Sequence, residues 1–207
     1  MARHPIVLWV AFVLVHFLLG MLGLYGPGWP LGDVSLTYRF WVDTGLNQDI
    51  WVGIDTVWVY PIVALVPMLI AHVFGGDQFT PTWLSLVMII DAVAFIVVLS
   101  FHRDRRLAPV GWWWLAFLLL LGPVALGRVD SITVAIAIVG VLLLATRPAA
   151  AAVLLAVATW IKVWPAALIA AAMVTMRARW RVVAGAAAAS LAIAITALAF
   201  GAGGNLV

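Results

Sequence analysis

The sequence predicts an all-α fold: a polytopic transmembrane helix bundle of about seven spans, with a long first outer loop carrying juxtamembrane helices. Three observations predict it. The 207 residues are 67% hydrophobic and only 9% charged, with mean hydropathy +1.20, whereas soluble domains carry roughly 25% charged residues. Such a chain could not cover its surface with polar groups in water, and a lipid-facing surface removes that demand. The apolar residues come in runs approaching the roughly 20 residues needed to cross a hydrocarbon core of about 30 Å. The cations stand in small clusters between these runs. That is a membrane-topology pattern, so no nucleic-acid partner is expected despite a pI near 10.0.

The runs are Ile6–Leu24, Val57–Phe74, Thr82–Phe101, Val110–Leu121, Ser131–Ala145, Ala149–Thr175 and Val182–Phe200. The first exceeds a signal-peptide core and is followed by Tyr25-Gly-Pro-Gly-Trp-Pro30, which offers no small-x-small cleavage site, so it reads as a retained span. The second is decided by the positive-inside rule. If Val57–Phe74 crossed the membrane, Arg103, Arg105 and Arg106 would fall outside; if it lies along the outer surface, they fall inside. Trp58, Tyr60, Pro61 and Pro67 also suit an interfacial or broken segment.

On that reading the N-terminus is cytoplasmic and residues 25–81 form one outer loop. Thr82–Phe101 returns to the inside, Val110–Leu121 with part of Gly122–Leu126 rises, and Ser131–Ala145 descends to Arg147. Ala149–Thr175 must then begin and end inside, ahead of Arg177–Arg181. It is too long for one ordinary span, so it predicts two short helices meeting near the outer face at Trp160–Pro165. Val182–Phe200 is the last crossing. Of the eleven cations, all but Arg39, Arg128 and Lys162 are then cytoplasmic.

The absence of cysteine excludes disulfides, thiolate chemistry and Cys-based zinc sites. No GxGxxG, P-loop, HExxH or Ser-x-x-Lys pattern occurs, so soluble nucleotide chemistry has no support, and a transferase of this kind would draw its donor from the membrane. The acidic set is eight Asp and no Glu. Asp33, Asp43, Asp49, Asp55 and Asp77 share the outer loop; Asp130 also faces out, Asp104 lies in the inner basic cluster, and Asp91 is in mid-span.

Four positions could carry chemistry. Asp33 follows the first span closely and could act as a general base on an interfacial substrate, or serve as a solvated loop residue or helix N-cap. Arg128 and Asp130, in Gly127-Arg-Val-Asp130, could pair with each other, hold an anionic headgroup, or cap the following helix. Lys162 is the chain's one lysine, set between Trp160 and Trp164. An ionisable group at that depth either meets a partner such as a lipid phosphate or snorkels to the interface. Asp91 is expensive if charged in a span, so it is either neutral or paired across the bundle, with a proton relay as the functional alternative. Trp112-Trp113-Trp114 reads as an interfacial aromatic belt.

Taken in order, Gly32-Asp33 with Tyr38, Tyr60-Pro61 opening an apolar segment, Leu126-Gly-Arg-Val-Asp-Ser131 after a Gly-Pro pair, and Thr159-Trp-Ile-Lys-Val-Trp-Pro165 resemble the GT-C superfamily of integral-membrane glycosyltransferases. The nearer resemblance is to actinobacterial polyprenol-phosphate-mannose-dependent alpha-mannosyltransferases, and it covers essentially the whole chain as a single module. It implies an active site on the extracytoplasmic face of the cell membrane, beneath the first outer loop, and an inverting transfer from a polyprenyl-phosphate sugar to a glycolipid or glycan acceptor. Asp33 matches the base of that reaction. Arg128 and Asp130 match the second outer-loop motif, Lys162 matches a lysine near the donor phosphate, and Tyr60 falls with the substrate-binding residues. The resemblance implies no metal or other cofactor, and further spans beyond Val207. Two departures stand out: Tyr60-Pro61-Ile62 where many members have Tyr-Pro-Pro, and Gly127-Arg128-Val129-Asp130 where they have Gly-Gln-x-Asn. Two other functions fit the composition. A lipid-linked-sugar transporter would use Lys162 and Asp91 in a cavity and show internal pseudo-symmetry. A non-catalytic scaffold would tolerate loss of Asp33 and Lys162.

Overall fold

The computed structural model describes residues 5–100 and 108–203. Arg3 and the inner cluster of Arg103, Asp104, Arg105 and Arg106 lie outside the described residues. The described residues form α-helices and short helical turns, with one isolated bridge between Val52 and Thr56 and no strand. The all-α reading therefore holds.

Among the described residues, three helices are long and apolar enough to cross a membrane: α1 (Pro5–Tyr25), α4 (Phe79–Ser100) and α9 (Arg179–Ala199). Between α1 and α4 the chain folds into α2 (Arg39–Gln48) and α3 (Leu65–Ala71). The shorter apolar helices are α5 (Ala108–Leu121), continued by a 3₁₀ turn over Gly122–Ala125, α6 (Val129–Leu143), α7 (Pro148–Ile161) and α8 (Ala166–Thr175). Large apolar side chains stand exposed along α1, α5 and α9, among them Phe17, Leu120 and Leu191. A soluble protein rarely shows so much contiguous apolar surface, and hydrocarbon would solvate it.

The apolar run at Val57–Phe74 is not a membrane-crossing helix. It is non-helical up to Pro61, then makes a 3₁₀ turn at Ile62–Ala64 and the seven-residue α3. At about 1.5 Å per residue α3 rises only some 10 Å. The run Ala149–Thr175 divides as its composition suggests. Lys162 takes an extended conformation (φ −149°, ψ 135°) and ends α7. Pro165, which has no N–H to give, stands at the start of α8.

Small residues let these helices approach. A Cβ on Gly185 of α9 would lie 2.4 Å from the Ala149 carbonyl oxygen of α7, and one on Gly140 of α6 would lie 2.9 Å from the Leu155 side chain. Such contacts replace hydrophobic drive between helices in lipid. The Trp160 indole also donates to Ser190 Oγ at 3.0 Å, tying α7 to α9. Between α1 and α4 the link is polar. His16 Nε2 lies 3.1 Å from Asp91 Oδ2, and His16 Nδ1 lies 2.9 Å from the Phe12 carbonyl, all buried. Asp91 is thus paired across the bundle, one of the two states its position allowed.

The segment between α1 and α4 is held by charge and by aromatic packing. Arg39 meets Asp43 at 3.3 Å and Asp77 at 3.5 Å, and His72 Nε2 meets Asp43 Oδ1 at 2.9 Å. This clasp joins α2 to α3 and to the 3₁₀ turn (Gly76–Gln78) ahead of α4.

Candidate active site at the head of an apolar groove

Asp33 is positioned by Leu31. That side chain is buried between α1 and the loop ahead of α6, since a Cβ on Gly23 or on Gly127 would lie 2.8 Å from it. Two residues on, Asp33 opens a π-helical turn, Asp33–Tyr38, that runs directly into α2. The N-cap reading of Asp33 fails, because Gly32 is already helical (φ −56°, ψ −38°) and no side-chain cap bond forms. The carboxylate instead takes the guanidinium of Arg128 through Oδ2 and Nη1.

Arg128 is fixed from three sides. Gly127 lets the chain press against Pro30 and Leu31. The buried Trp83 indole of α4 donates to the Leu126 carbonyl at 2.9 Å. Ser131 Oγ donates to the Arg128 carbonyl at 2.5 Å. Arg128 is the extended residue (φ −126°, ψ 150°) that starts α6, so its side chain leaves the helix axis toward Asp33. Asp130, in the first turn, faces another way and meets Lys162 Nζ at 3.5 Å. The reading in which Arg128 and Asp130 pair with each other, and that in which one of them caps α6, are both overturned: each pairs with a distant element, and no side-chain cap bond forms.

Lys162 also sits over the Tyr60 ring, 4.5 Å from its centroid, a cation–π distance. Its side chain is 33% exposed, so it is neither in bulk water nor sealed in the bundle. Tyr60 in turn packs against Trp58 (5.5 Å), Trp41 (5.9 Å) and Tyr38 (6.3 Å). Asp33, Arg128, Asp130, Lys162 and Tyr60, drawn from four separate stretches of chain, are thus linked contact by contact.

Tyr38 completes the circuit and was missed as a site residue. It is fully buried against Trp83, and its hydroxyl has no hydrogen-bond partner. Burial first, then Tyr60 and the Asp33 charge, push its phenol well above the usual tyrosine range, against a smaller opposing effect of the Val129 backbone. Tyr60 and Val129 are close enough to act on its ionisation without completing a hydrogen bond. Tyr38 is therefore a neutral hydroxyl, set near Tyr60, the Val129 backbone and the Asp33 charge. His16 was missed too; the available signal was a second ionisable residue in an apolar run, matching Asp91.

A groove of about 660 Å³ runs between α4, α5 and α6. Its walls are apolar, with Trp113, Trp114, Phe117 and Val134 among them, and Arg128, Asp130 and Ser131 stand at one end. Part of the Trp112–Trp114 belt thus lines a cavity. Asp91 reaches the same wall. Only one nitrogen of Arg128 is used by Asp33, so the rest of its donor fork has no protein acceptor among the described residues. Among those residues no three His or Asp side chains converge as metal ligands. The arrangement offers a carboxylate, two cations able to meet an anion, and an apolar trough that is lined by one of them, Arg128.

No curated protein sequence and no solved structure matches the chain. The profile of glycosyltransferase family 87 matches residues 58–204, which takes in Tyr60, Arg128, Asp130 and Lys162 and begins after Asp33. That match runs over most of the length, and it shows that the chain belongs to glycosyltransferase family 87.

Proposed function

We propose that this glycosyltransferase moves a sugar, mannose in the reading favoured here, from a polyprenyl-phosphate donor to a lipid or glycan acceptor at the extracytoplasmic face of the membrane. The observation that carries the proposal is the joining of Asp33 to Arg128 at the end of the apolar groove, with Lys162 one ion pair further on. An isoprenoid chain fits an apolar trough, and a phosphodiester fits the Arg128 guanidinium at its end, with Lys162 one ion pair away.

Asp33 accepts the proton of the acceptor hydroxyl as its oxygen attacks the sugar C1. The bond from C1 to the phosphate oxygen breaks on the opposite face, so the anomeric configuration inverts. Arg128 and Lys162 hold the charge that develops on the departing polyprenyl phosphate. Without substrate, Arg128 rests on Asp33. A donor phosphate competes for that guanidinium and frees the carboxylate to act as a base, so donor binding precedes activation of the acceptor.

The test is transfer from polyprenyl-phosphate-mannose to membrane lipids by the wild-type chain and by Asp33→Asn. The variant keeps the shape of the side chain and loses its basicity. Loss of transfer with the protein still folded in the membrane supports the assignment; equal transfer removes Asp33 from the mechanism.

A further inference from the structure

Tyr60 carries Lys162 over its ring, 4.5 Å from the centroid, and two buried donors stand idle beside it. Among the described residues, the buried side-chain polar atoms without a hydrogen-bond partner are the Tyr38 hydroxyl and the Trp58 indole nitrogen. Their rings meet Tyr60 nearly edge-on, Tyr38 at 6.3 Å and 77° and Trp58 at 5.5 Å and 90°. A buried donor with no acceptor carries a desolvation cost that nothing in the resting structure offsets. Both such donors border the one ring beneath the lysine, which marks Tyr60 as the place where a second arrangement would satisfy a donor.

Of the two donors, Tyr38 is the one tied to the site. It closes the π-helical turn that Asp33 opens, and π-helical turns are rare and recur at functional sites. Its ring is fully buried, with Trp83 at 5.3 Å and Trp41 at 5.8 Å, so its hydroxyl has a fixed place. Tyr60 is only partly buried. The Lys162 ammonium above it is shared with Asp130 at 3.5 Å. Tyr60 acts on the ionisation of Tyr38 in the sense of a Tyr38 O–H directed at the Tyr60 oxygen, although no complete bond is made at rest.

We propose that Tyr38 is a positioning residue for Lys162, acting through Tyr60. When a lipid phosphate replaces Asp130 as the partner of Lys162, the Tyr60 ring shifts with the ammonium, and the Tyr38 hydroxyl donates to the Tyr60 oxygen. The bond holds the ring, and the ring holds the cation against the phosphate by the cation–π contact. Tyr38 touches neither the phosphate nor the sugar. This role rests on the transferase reading, in which Lys162 meets the donor phosphate. It adds that Asp33 and the support of Lys162 are set by one turn of chain, so the base and the distant cation are placed together. The hydroxyl carries the role and the ring does not, because phenylalanine would fill the same space.

Lys162 is the chain's one lysine, so lysine labelled with ¹³C at its ε-carbon gives a single NMR signal from beside the Tyr60 ring. The test follows that signal in the full chain, in phosphatidylcholine bilayer discs, as polyprenyl phosphate is added. Tyr38→Phe should raise the midpoint of the titration about fivefold, the worth of one neutral hydrogen bond. Tyr60→Phe removes the other hydroxyl and keeps both rings, so it should give the same rise and answers the question if the first variant does not fold. The two together should lose no more than either alone. A midpoint unmoved by both variants, or losses that multiply in the double variant, overturns the role of Tyr38 and leaves the donor reading standing. A signal that polyprenyl phosphate does not move in the unaltered chain overturns the donor reading, and the role of Tyr38 with it.

Discussion

Replacing Lys162 by Met separates a phosphate-binding lysine from one that merely neutralises Asp130. The 3.5 Å ion pair has a bare attraction of about 5 kcal/mol at an effective dielectric near 20. With the side chains 33% and 43% exposed, solvent screening brings its net worth nearer to about 1 kcal/mol. A neutralising role therefore predicts that Lys162→Met lowers transfer only about fivefold. A charge-assisted contact to a donor phosphate is worth about 1.5–3 kcal/mol, so the phosphate role predicts a loss of roughly 10- to 150-fold in kcat/KM for the donor. The sharper distinction comes from adding Asp130→Asn. If Lys162 serves Asp130, the double variant recovers wild-type rates, because nothing is left unpaired. If Lys162 serves the donor, the double variant stays as slow as the single one. Initial rates of transfer against polyprenyl-phosphate-mannose concentration decide it, and recovery in the double variant would refute the phosphate role.

Three further outcomes follow from the packing. Gly185→Ala forces a methyl onto the Ala149 carbonyl oxygen and should destabilise the protein by about 1–3 kcal/mol, seen as a lower melting temperature in detergent. His16→Leu or Asp91→Leu alone leaves the other buried group unpaired and should cost about 3–5 kcal/mol in the same measurement, while the two together recover most of it; equal melting of single and double variants would sink that account. Tyr38→Phe removes a hydroxyl that has no partner, so stability at neutral pH should hold or rise, by up to about 1 kcal/mol. Because the fold raises the Tyr38 pKa, the stability linked to it is whole below the unfolded value near 10 and falls as pH climbs through the folded value, by up to ~1.4 kcal/mol per unit. Tyr38→Phe should flatten that alkaline loss when melting temperatures are compared above pH 10.

The break at Lys162–Pro165 was legible because it depends on local chemistry, a proline and a run too long for one span. That Val57–Phe74 is broken and not one long helix was legible for a similar reason: prolines at 61 and 67 interrupt it, and α3 comes out at seven residues. The pairing of charges was not legible. Arg128 and Asp130 stand two apart, which invites a pair, but residues two apart at a helix start face different ways, and tertiary structure supplies each with its own partner. The partner of Asp91 depends on how α1 is rotated against α4, which two uniformly apolar helices do not encode in their residue pattern. Tyr38 stayed hidden because its importance lies in burial, and a tyrosine in a loop rich in Asp and Trp gives no sign of being sealed off.

One signal did point to the site in advance. On the expected topology only Arg39, Arg128 and Lys162 violate the positive-inside rule, and each is ion-paired to an aspartate. The rule acts on charge left free in loops, so an outward cation is tolerated where the fold neutralises it. The three exceptions are not equivalent. Arg39 meets two carboxylates and closes the clasp between α2, α3 and the turn before α4, which leaves it little capacity for a ligand. Arg128 and Lys162 meet one carboxylate each, and Arg128 borders the apolar groove. A cation that breaks the topology rule, is held by a single acid and stands at the end of a lipid-sized trough has capacity for a second anion. Under the proposed function, that makes Arg128, with Lys162 one ion pair away, the place where a membrane-borne phosphate would exchange partners with the protein's own aspartates.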